Sequence, residues 1–250
     1  MIVSMFRVPS CEDGPVDHTT RRDRLREQLT QDIKRSARRI MVEHGPPGLT
    51  LSSIARAVAV TPPALYRYYD DLDDIVANLA TDLVTELVEK MSAAIDAEPP
   101  NDLAARLRAA TCTFRQWSVE HPVEYGLLFG APNAPAGKVP AAFSSDWVVR
   151  LADVWGPLVA EAWRRNGFPV PDEDAIDPEL LEQLGKYGEV TGQSGLPAGV
   201  LVVFLDCWRQ VYGAVCLEVF GHMGPAITDH EPLFRTMVDD LLARLGFTQS

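Results

Sequence analysis

The fold is decided by the stretch from Thr50 to Tyr69, which reads TLSSIARAVAVTPPALYRYY. Thr50 suits the N-cap of a short helix, although Ser53 stands where a full capping box carries Glu or Gln. Thr61 is a second N-cap candidate, and Pro62 after it suits the first position of another short helix that ends near Tyr69. Two short helices joined by a tight turn predict a helix-turn-helix unit. The inward positions of its first helix are Leu51, Ile54, Ala55 and Val58.

Helical periodicity continues on both sides of this unit. Before it, apolar residues at helical spacing predict a long helix from about Arg22 to His44, which ends at the Gly-Pro-Pro-Gly run 45–48. Its expected apolar stripe is Leu25, Leu29, Ile33, Ala37, Ile40 and Met41. After the unit, four aspartates precede a long helix over residues 73–95, where acidic side chains complement the helix dipole. Further helical periods lie at 102–119, 122–130, 142–167, 198–222 and 231–246.

The rest of the chain is predicted to be loop, and the fold class is all-α. Residues 131–141 are rich in Ala, Pro and Gly. Residues 169–197 mix Pro, Gly and acids, which predicts a loop with at most one short helix. Strand-like alternation bounded by turn residues is scarce along the whole chain.

Charge is segregated along the chain, which has 250 residues, 46% hydrophobic and 23% charged, with a net charge of −12. Residues 19–69 carry +6, whereas residues 70–250 carry −16. A basic segment joined to an acidic remainder suggests a nucleic-acid-binding part attached to a second part. We therefore expect a disordered tail at 1–20, a DNA-binding domain at 21–72 and a second, helical domain at 73–250.

The cysteine pattern and the lack of a recognisable targeting signal favour a reduced, cytoplasmic protein without a membrane role. The four cysteines form no C-x-x-C pair, so a metal site is not indicated and no cofactor is expected. Residues 1–18 lack the apolar run of a signal peptide. The most apolar later stretch, Gly199 to Leu205, is followed by Asp206 and Arg209 and is expected to be too short to span a bilayer.

The stretch 50–69, followed by Ile75, resembles the DNA-binding domain of the tetracycline-repressor (TetR) family over about 50 residues. The residues that carry the resemblance are Thr50, the Ile54-Ala55 pair, Thr61, the Leu65-Tyr66 pair and Tyr69. The resemblance implies a homodimeric transcriptional repressor that a small ligand releases from its operator. Two positions depart from the family pattern: Ala59 replaces the turn glycine, and Leu72 replaces the lysine that contacts phosphate.

Candidate DNA contacts follow from this resemblance and from the chemistry of the residues. Phosphate contacts are expected from Thr50, Thr61 and Tyr66. The arginines near the first helix are the substitutes for the missing lysine: Arg21, Arg22, Arg24 and Arg26. Arg67 is the strong polar candidate for contact with base edges, whereas Leu65 and Tyr69 are expected to pack inward. The remaining base-contact candidates are Ser52, Pro62, Pro63, Ala64 and Tyr68.

The acidic part of the chain predicts a ligand site and a dimer interface. Residues 114–130 and 208–213 resemble the WHG-type ligand-binding domain found in part of the family, with Tyr212 in place of the usual His. The expected ligand is a small hydrophobic or aromatic molecule, with a cation as the alternative because ring faces attract cations. The candidate wall is Phe114, Trp117, Tyr125, Trp155, Phe204, Trp208 and Tyr212. Helix 198–222 is apolar nearly all round, and 231–246 has a broad apolar stripe that includes Leu233, so both are expected to pair in a dimer.

Two other functions remain open from the sequence. Asp70-Asp71-Leu72-Asp73-Asp74 satisfies the D-D-x-x-D pattern by which terpene synthases hold magnesium, but the second metal motif of those enzymes is absent. A helical ligand-binding or interaction protein without DNA binding is the other alternative. Salt-dependent binding to a palindrome would exclude it.

Overall fold

The computed structural model describes residues 21–130, 145–224 and 227–247, and within these ranges all regular structure is helical. The predicted tail 1–20 and the predicted loop 131–141 lie outside them. The described α-helices are α1 (Arg21–His44), α2 (Leu51–Ala57), α3 (Pro62–Leu65), α4 (Leu72–Ala97), α5 (Leu103–Glu120), α6 (Pro122–Phe129), α7 (Ser145–Asn166), α8 (Pro178–Val190), α9 (Ala198–Val219) and α10 (Glu231–Arg244). The all-α prediction is confirmed.

Most helix boundaries lie within a few residues of those predicted, with two corrections. The α-helical part of α3 ends at Leu65 and continues as a turn, so α3 is shorter than expected. The segment predicted as a loop with at most one short helix contains the 13-residue helix α8. Asp177 caps α8 by accepting hydrogen bonds from the backbone N–H groups of Glu179 and Leu180, and Pro178 follows at the first position.

In both α1 and α10, one residue of the predicted apolar stripe is exposed and not buried. Leu25 of α1 is 58% exposed and Leu233 of α10 is 48% exposed. Ile33, Ala37, Ile40 and Met41 of α1 are buried as expected, as are Phe234, Val238, Leu241 and Leu242 of α10.

The long helix α4 lies at the centre of the molecule. It packs against α1, α5, α6 and α7, and eight of its residues are buried: Ile75, Leu79, Ala80, Leu83, Val84, Leu87, Met91 and Ile95. The main cluster of buried side chains is continuous from Ile33 to Leu245. Packing therefore marks no break at residue 72, and the division into domains 21–72 and 73–250 stays a prediction.

Helix α9 is the one helix in the described ranges that is long and apolar enough to cross a membrane by length and composition. The expectation that this stretch is too short was wrong, because Asp206 and Arg209 do not interrupt its 22 residues. Core helices of water-soluble proteins meet the same criteria, so this is weak evidence for a membrane span. One third of its most apolar window is buried within the chain, which leaves apolar surface uncovered.

Candidate DNA interface and ligand cavities

The helix-turn-helix unit is held by a capping box at its first helix. The Thr50 hydroxyl accepts a hydrogen bond from the Ser53 backbone N–H at 3.1 Å, and the Ser53 hydroxyl accepts one from the Thr50 N–H at 3.0 Å. Ser53 therefore completes the box that was expected to lack its partner. Thr61 is the N-cap of α3, but its side chain makes no capping hydrogen bond.

The turn between α2 and α3 depends on a residue in a left-handed conformation. Ala59 has φ 55°, and it is the one non-glycine residue with positive φ among those described. Ala59, which stands where the family has its turn glycine, therefore occupies a strained conformation, because Cβ crowds the following carbonyl.

The candidate DNA-contacting side chains lie largely on the surface. Leu65 and Tyr69 pack inward as predicted, whereas Tyr66 is 58% exposed. The exposed candidates are Thr50, Ser52, Thr61, Pro62, Pro63, Tyr66, Arg67, Arg21, Arg22 and Arg24, and the partly buried ones are Ala64 and Tyr68. Exposure leaves these residues available to DNA, and their contacts remain predictions.

Four arginines line one open groove beside the unit, which we call the arginine groove. Arg21, Arg22 and Arg26 enter it from the first turns of α1, and Arg67 enters from the turn after α3. The Arg26 guanidinium lies over the Tyr68 ring, 5.9 Å from its centroid. Arg24 does not line the groove. Its other lining residues are Asp23, Leu25, Gln28, Leu29, Asp32 and Tyr68.

The aspartates at the start of α4 have a structural role. The Asp71 carboxylate accepts a hydrogen bond from the Asp74 N–H at 2.8 Å, and the Asp74 carboxylate accepts one from the Asp70 N–H at 3.1 Å. Asp71 thus caps the helix, and Asp74 holds the residue that precedes the cap. Across the described ranges no group of three or more His, Cys, Asp or Glu side chains is arranged to hold a metal ion.

An ion-pair network joins α1 to α4 and α6 and also includes Trp117 of α5. The Arg38 guanidinium donates to Glu86 of α4 at 2.7 Å and to Glu124 of α6 at 2.9 Å. The indole N–H of Trp117 also donates to Glu86, at 2.9 Å. Burial alone would raise the pKa of Glu86, but the hydrogen bonds from Arg38 and Trp117 outweigh it and hold that pKa below its usual value. Glu124 is buried, so Arg38 compensates a desolvated charge.

The helical part encloses two cavities that share a wall. The apolar cavity, of about 50 Å³, is lined by Leu107, Thr111, Trp155, Val159, Phe204, Cys207, Trp208, Val211, Val238, Leu241, Leu242 and Leu245. The aromatic cavity, of about 190 Å³, is lined by Phe129, Trp147, Leu151, Ala152, Trp155, Tyr187, Phe204, Trp208 and Tyr212. Trp155, Phe204 and Trp208 belong to both linings and separate the two spaces.

The predicted ligand wall divides into two groups in the structure. Trp155, Phe204, Trp208 and Tyr212 line the cavities. Phe114, Trp117 and Tyr125 line neither, because they are fully buried in the core beneath. Phe114 contacts the rings of Trp155 and Trp208 edge to face, with centroids 5.6 and 5.4 Å away. The Tyr125 hydroxyl lies 3.1 Å from the Cys216 sulfur.

Five residues of the aromatic cavity were absent from the predicted wall: Phe129, Trp147, Leu151, Ala152 and Tyr187. Tyr187 lies on α8, in the segment predicted as loop, where sequence gives no helical face to place it on. Phe129 lies in the block 114–130 that resembles the WHG-type domain, but sequence cannot tell which face of a short aromatic helix meets a cavity. Burial raises the pKa of Tyr187 to about 12.

A helix-turn-helix unit with exposed basic side chains, in front of a helical part with internal cavities, defines the class of helix-turn-helix transcriptional regulators. Residues 33–79 match the family model described as bacterial regulatory proteins, tetR family. Residues 107–241 match the model described as tetracyclin repressor-like, C-terminal domain. This second match spans more than half of the chain, so the chain belongs to the TetR family and is a transcriptional regulator, not an enzyme.

Individual relatives agree with this assignment. The HTH-type transcriptional regulator Rv1816 of Mycobacterium tuberculosis is 29% identical over 227 residues, which are 90% of this chain and 95% of the relative. The crystal structure of the regulatory protein SCO4313 has a TM-score of 0.68 and 25% identity, covering 90% of this chain and all of that one. A TetR family regulator from Marinobacter aquaeolei VT8 shares the fold, with a TM-score of 0.52, 16% identity, and coverage of 87% of this chain and 97% of its own.

Proposed function

We propose that the protein is a homodimeric repressor in the cytoplasm that binds a palindromic operator and is released by a small hydrophobic or aromatic effector. Residues 21–72 would contact DNA, and residues 73–250 would carry the effector site and the dimer interface. The observation that carries the proposal is the arginine groove, which gathers Arg21, Arg22, Arg26 and Arg67 beside the helix-turn-helix unit. Clustered guanidinium groups neutralise phosphates despite the net charge of −12.

The two classes of DNA contact come from different parts of the unit. Thr50, Thr61 and Tyr66, together with the arginines of α1, hold phosphates and set the register on the duplex. Arg67 is the long polar side chain beside α3, so it bonds a guanine edge or an adjacent phosphate. Ser52, Pro62, Pro63, Ala64 and Tyr68 supply short polar and apolar contacts, which leaves DNA shape to carry much of the specificity.

The dimer interface is assigned to α9 and α10. Leu217 and Phe220 at the end of the α9 segment and Leu233 of α10 are exposed apolar side chains. Arg115 of α5 bonds Glu218 of α9 bidentately at 2.7 Å and also pairs with Glu231 of α10, so these two helices are braced together. Pairing of this face with its copy forms a four-helix bundle and matches the two-fold symmetry of a palindrome.

Helix α6 offers a direct path from the effector site to the DNA-binding part. Phe129 at its end lines the aromatic cavity, and Glu124 one turn earlier holds Arg38 of α1. An effector that displaces Phe129 therefore changes the position of the carboxylate that α1 depends on. The shift in DNA affinity is bounded by the difference in effector affinity between the two states.

The proposal is tested by DNA binding to the sequence that flanks the protein's own gene, measured by fluorescence anisotropy over a salt series. Specific binding should weaken steeply with salt. Arg67→Ala should reduce affinity by about 1–3 kcal/mol, and Tyr66→Phe should weaken it less, because each removes a contact to base or phosphate. Arg164→Ala is the matched control, since Arg164 is exposed on α7 and already paired with Glu161.

Two results would contradict the proposal. Equal loss of affinity in the Arg164 and Arg67 variants would indicate non-specific charge attraction. Absence of specific binding by a confirmed dimer in low salt would favour a ligand-binding protein without DNA binding, consistent with Leu72 in place of the usual lysine.

A further inference from the structure

The aromatic cavity is built almost entirely from ring faces. Seven of its nine lining residues are aromatic, and the other two are Leu151 and Ala152. The rings contact one another at edge or tilted angles, as between Trp155 and Trp208, whose centroids are 5.3 Å apart. Such walls favour a planar ring that stacks or meets them edge to face. The aromatic cavity has a volume of about 190 Å³, whereas an engineered cavity of roughly 150 Å³ accepts benzene. A single aromatic ring or a pair of fused rings therefore fits.

Charge is missing from the walls of this cavity. No Asp, Glu, Lys or Arg is among its lining residues in the described chain. A carboxylate or ammonium group brought into such a space loses its water without gaining an ionic partner, which is costly. Cation–π attraction to desolvated rings recovers about 2 kcal/mol or more of this loss, against a penalty of several kcal/mol for burying an unpaired ion. An uncharged ligand is therefore favoured.

One hydroxyl group of the wall is left for a ligand. The Tyr212 hydroxyl donates to the Phe129 carbonyl at 3.1 Å, and the Trp155 indole donates to Thr111 at 3.3 Å. The Tyr187 hydroxyl makes no hydrogen bond to any other described residue. In agreement with this, burial is the one cause of its raised pKa. A half-buried phenol in this state can donate to, or accept from, one polar group of a bound molecule.

Tyr187 is also the single contribution of α8 to the cavity lining. Helix α8 packs on α9 through a small separate cluster, Ile176, Leu184 and Leu201. Tyr187 itself packs against the main core, so a hydrogen bond from a ligand adds a polar contact to an existing apolar one.

We propose that the effector is an uncharged molecule of one or two fused aromatic rings with a single hydroxyl or carbonyl group, which bonds the Tyr187 hydroxyl while its rings occupy the aromatic cavity. This inference rests on the proposed function, which places the effector site in the helical part. It extends that function by excluding carboxylates and quaternary ammonium compounds and by naming the residue that selects the polar group.

The test uses four probes that share one ring system: 2-naphthol, naphthalene, 2-naphthoate and 2-naphthyltrimethylammonium. Binding to the full-length protein is followed at neutral pH by isothermal titration calorimetry. We expect 2-naphthol to bind about fivefold to tenfold more tightly than naphthalene, which corresponds to one hydrogen bond. The two charged probes should bind at least tenfold more weakly than 2-naphthol.

The decisive variant is Tyr187→Phe, which keeps the ring and removes the hydroxyl. It should lower the affinity for 2-naphthol to that of naphthalene and leave naphthalene binding unchanged. The matched control is Tyr69→Phe, which removes a hydroxyl far from the cavity and should change neither affinity. Circular dichroism confirms that both variants fold.

Three results would overturn the inference: undiminished 2-naphthol binding by Tyr187→Phe, a charged probe that binds more tightly than 2-naphthol, or no binding of any probe. The operator assay on the same preparation separates this failure from failure of the proposed function. Operator binding without probe binding would contradict the ligand assignment alone. Probe binding without operator binding would contradict the proposed function as a repressor.

Discussion

The Cβ of Ala59 disfavours the left-handed backbone conformation that this residue adopts in the turn between α2 and α3. Its φ of 55° is the conformation in which glycine is favoured and Cβ is penalised. The surrounding structure tolerates the strain because the capping box at Thr50 and Ser53 holds one helix and Pro62 begins the next. The family's glycine is therefore replaceable at this turn, at a cost in stability.

Replacing Ala59 by Gly should stabilise the protein by about 0.5–1 kcal/mol, because relief of left-handed strain exceeds the extra chain entropy of glycine. Urea denaturation followed by circular dichroism measures the change. Ala57→Gly is the matched control, since Ala57 lies in α2 and the same substitution should destabilise by a similar amount. A loss of stability in both variants would contradict the strain argument.

The Tyr69 hydroxyl is buried without a hydrogen-bond partner among the described residues. Burial and the charges of Asp82 and Asp74 raise its pKa to about 12. Tyr69→Phe should therefore leave stability unchanged or raise it by about 1 kcal/mol, because an unsatisfied polar atom is removed. Tyr125→Phe, which removes a hydroxyl placed against Cys216, should lower stability by about 1 kcal/mol in the same urea assay. A loss of similar size in Tyr69→Phe would reveal a hidden partner.

At the scale of elements, Glu86 of α4 links α1 to α5, because its carboxylate accepts hydrogen bonds from both Arg38 and Trp117. The pKa of Glu86 is depressed in the folded state, so its stabilising effect is present above the ordinary glutamate value of about 4.3. The effect is lost as pH falls through the lower folded-state value.

Glu86→Gln should reduce stability at pH 7 by about 1–2 kcal/mol and flatten its decline between about pH 5 and pH 3. Urea midpoints over that pH range measure both effects. Glu89→Gln is the control, because Glu89 is exposed on the same helix. Parallel pH profiles for the Glu86 variant and the unmodified protein would show that the ion pair with Arg38 adds nothing.

Element positions were largely predictable from sequence, whereas the walls of the cavities were not. Apolar spacing and caps locate α1, α2 and α4 within about one or two residues, since those signals are local. Helix α8 was underestimated because two glycines, Gly185 and Gly188, and several acids obscure its period. Which aromatic ring faces a cavity is decided by tertiary packing, and that is why Phe114 is in the core while Tyr187 lines the cavity.

The arginine groove illustrates the same limit for the surface. The count of arginines predicted a basic arm, and the sequence resemblance predicted a base contact by Arg67. Only the fold brings the ends of α1 and α3 to one groove, which includes Arg26 and excludes Arg24.

At the scale of the whole molecule, the exposed end of α9 predicts the oligomeric state. Leu217→Glu should convert the dimer to a monomer, because it places a charge on the proposed interface. Analytical ultracentrifugation measures this, and operator affinity should fall at least tenfold. Leu180→Glu on α8 is the control, since Leu180 is 41% exposed and Leu217 is 42% exposed. Persistence of a dimer in the Leu217 variant would move the interface elsewhere.

Helix α4 gives this molecule a mechanical property. Its 26 residues make a rigid rod about 39 Å long that begins beside the helix-turn-helix unit and packs against α5 and α7. If its far end is the pivot, a tilt of about 5° displaces the near end by about 3 Å. Successive half-sites on DNA lie about 34–36 Å apart. In the proposed dimer, such a tilt of both α4 helices would change the spacing of the two α3 helices, so that they no longer matched the two half-sites. Under the proposed function, a small change around a ring of the cavity would thus be amplified by the length of α4 before it reached the duplex.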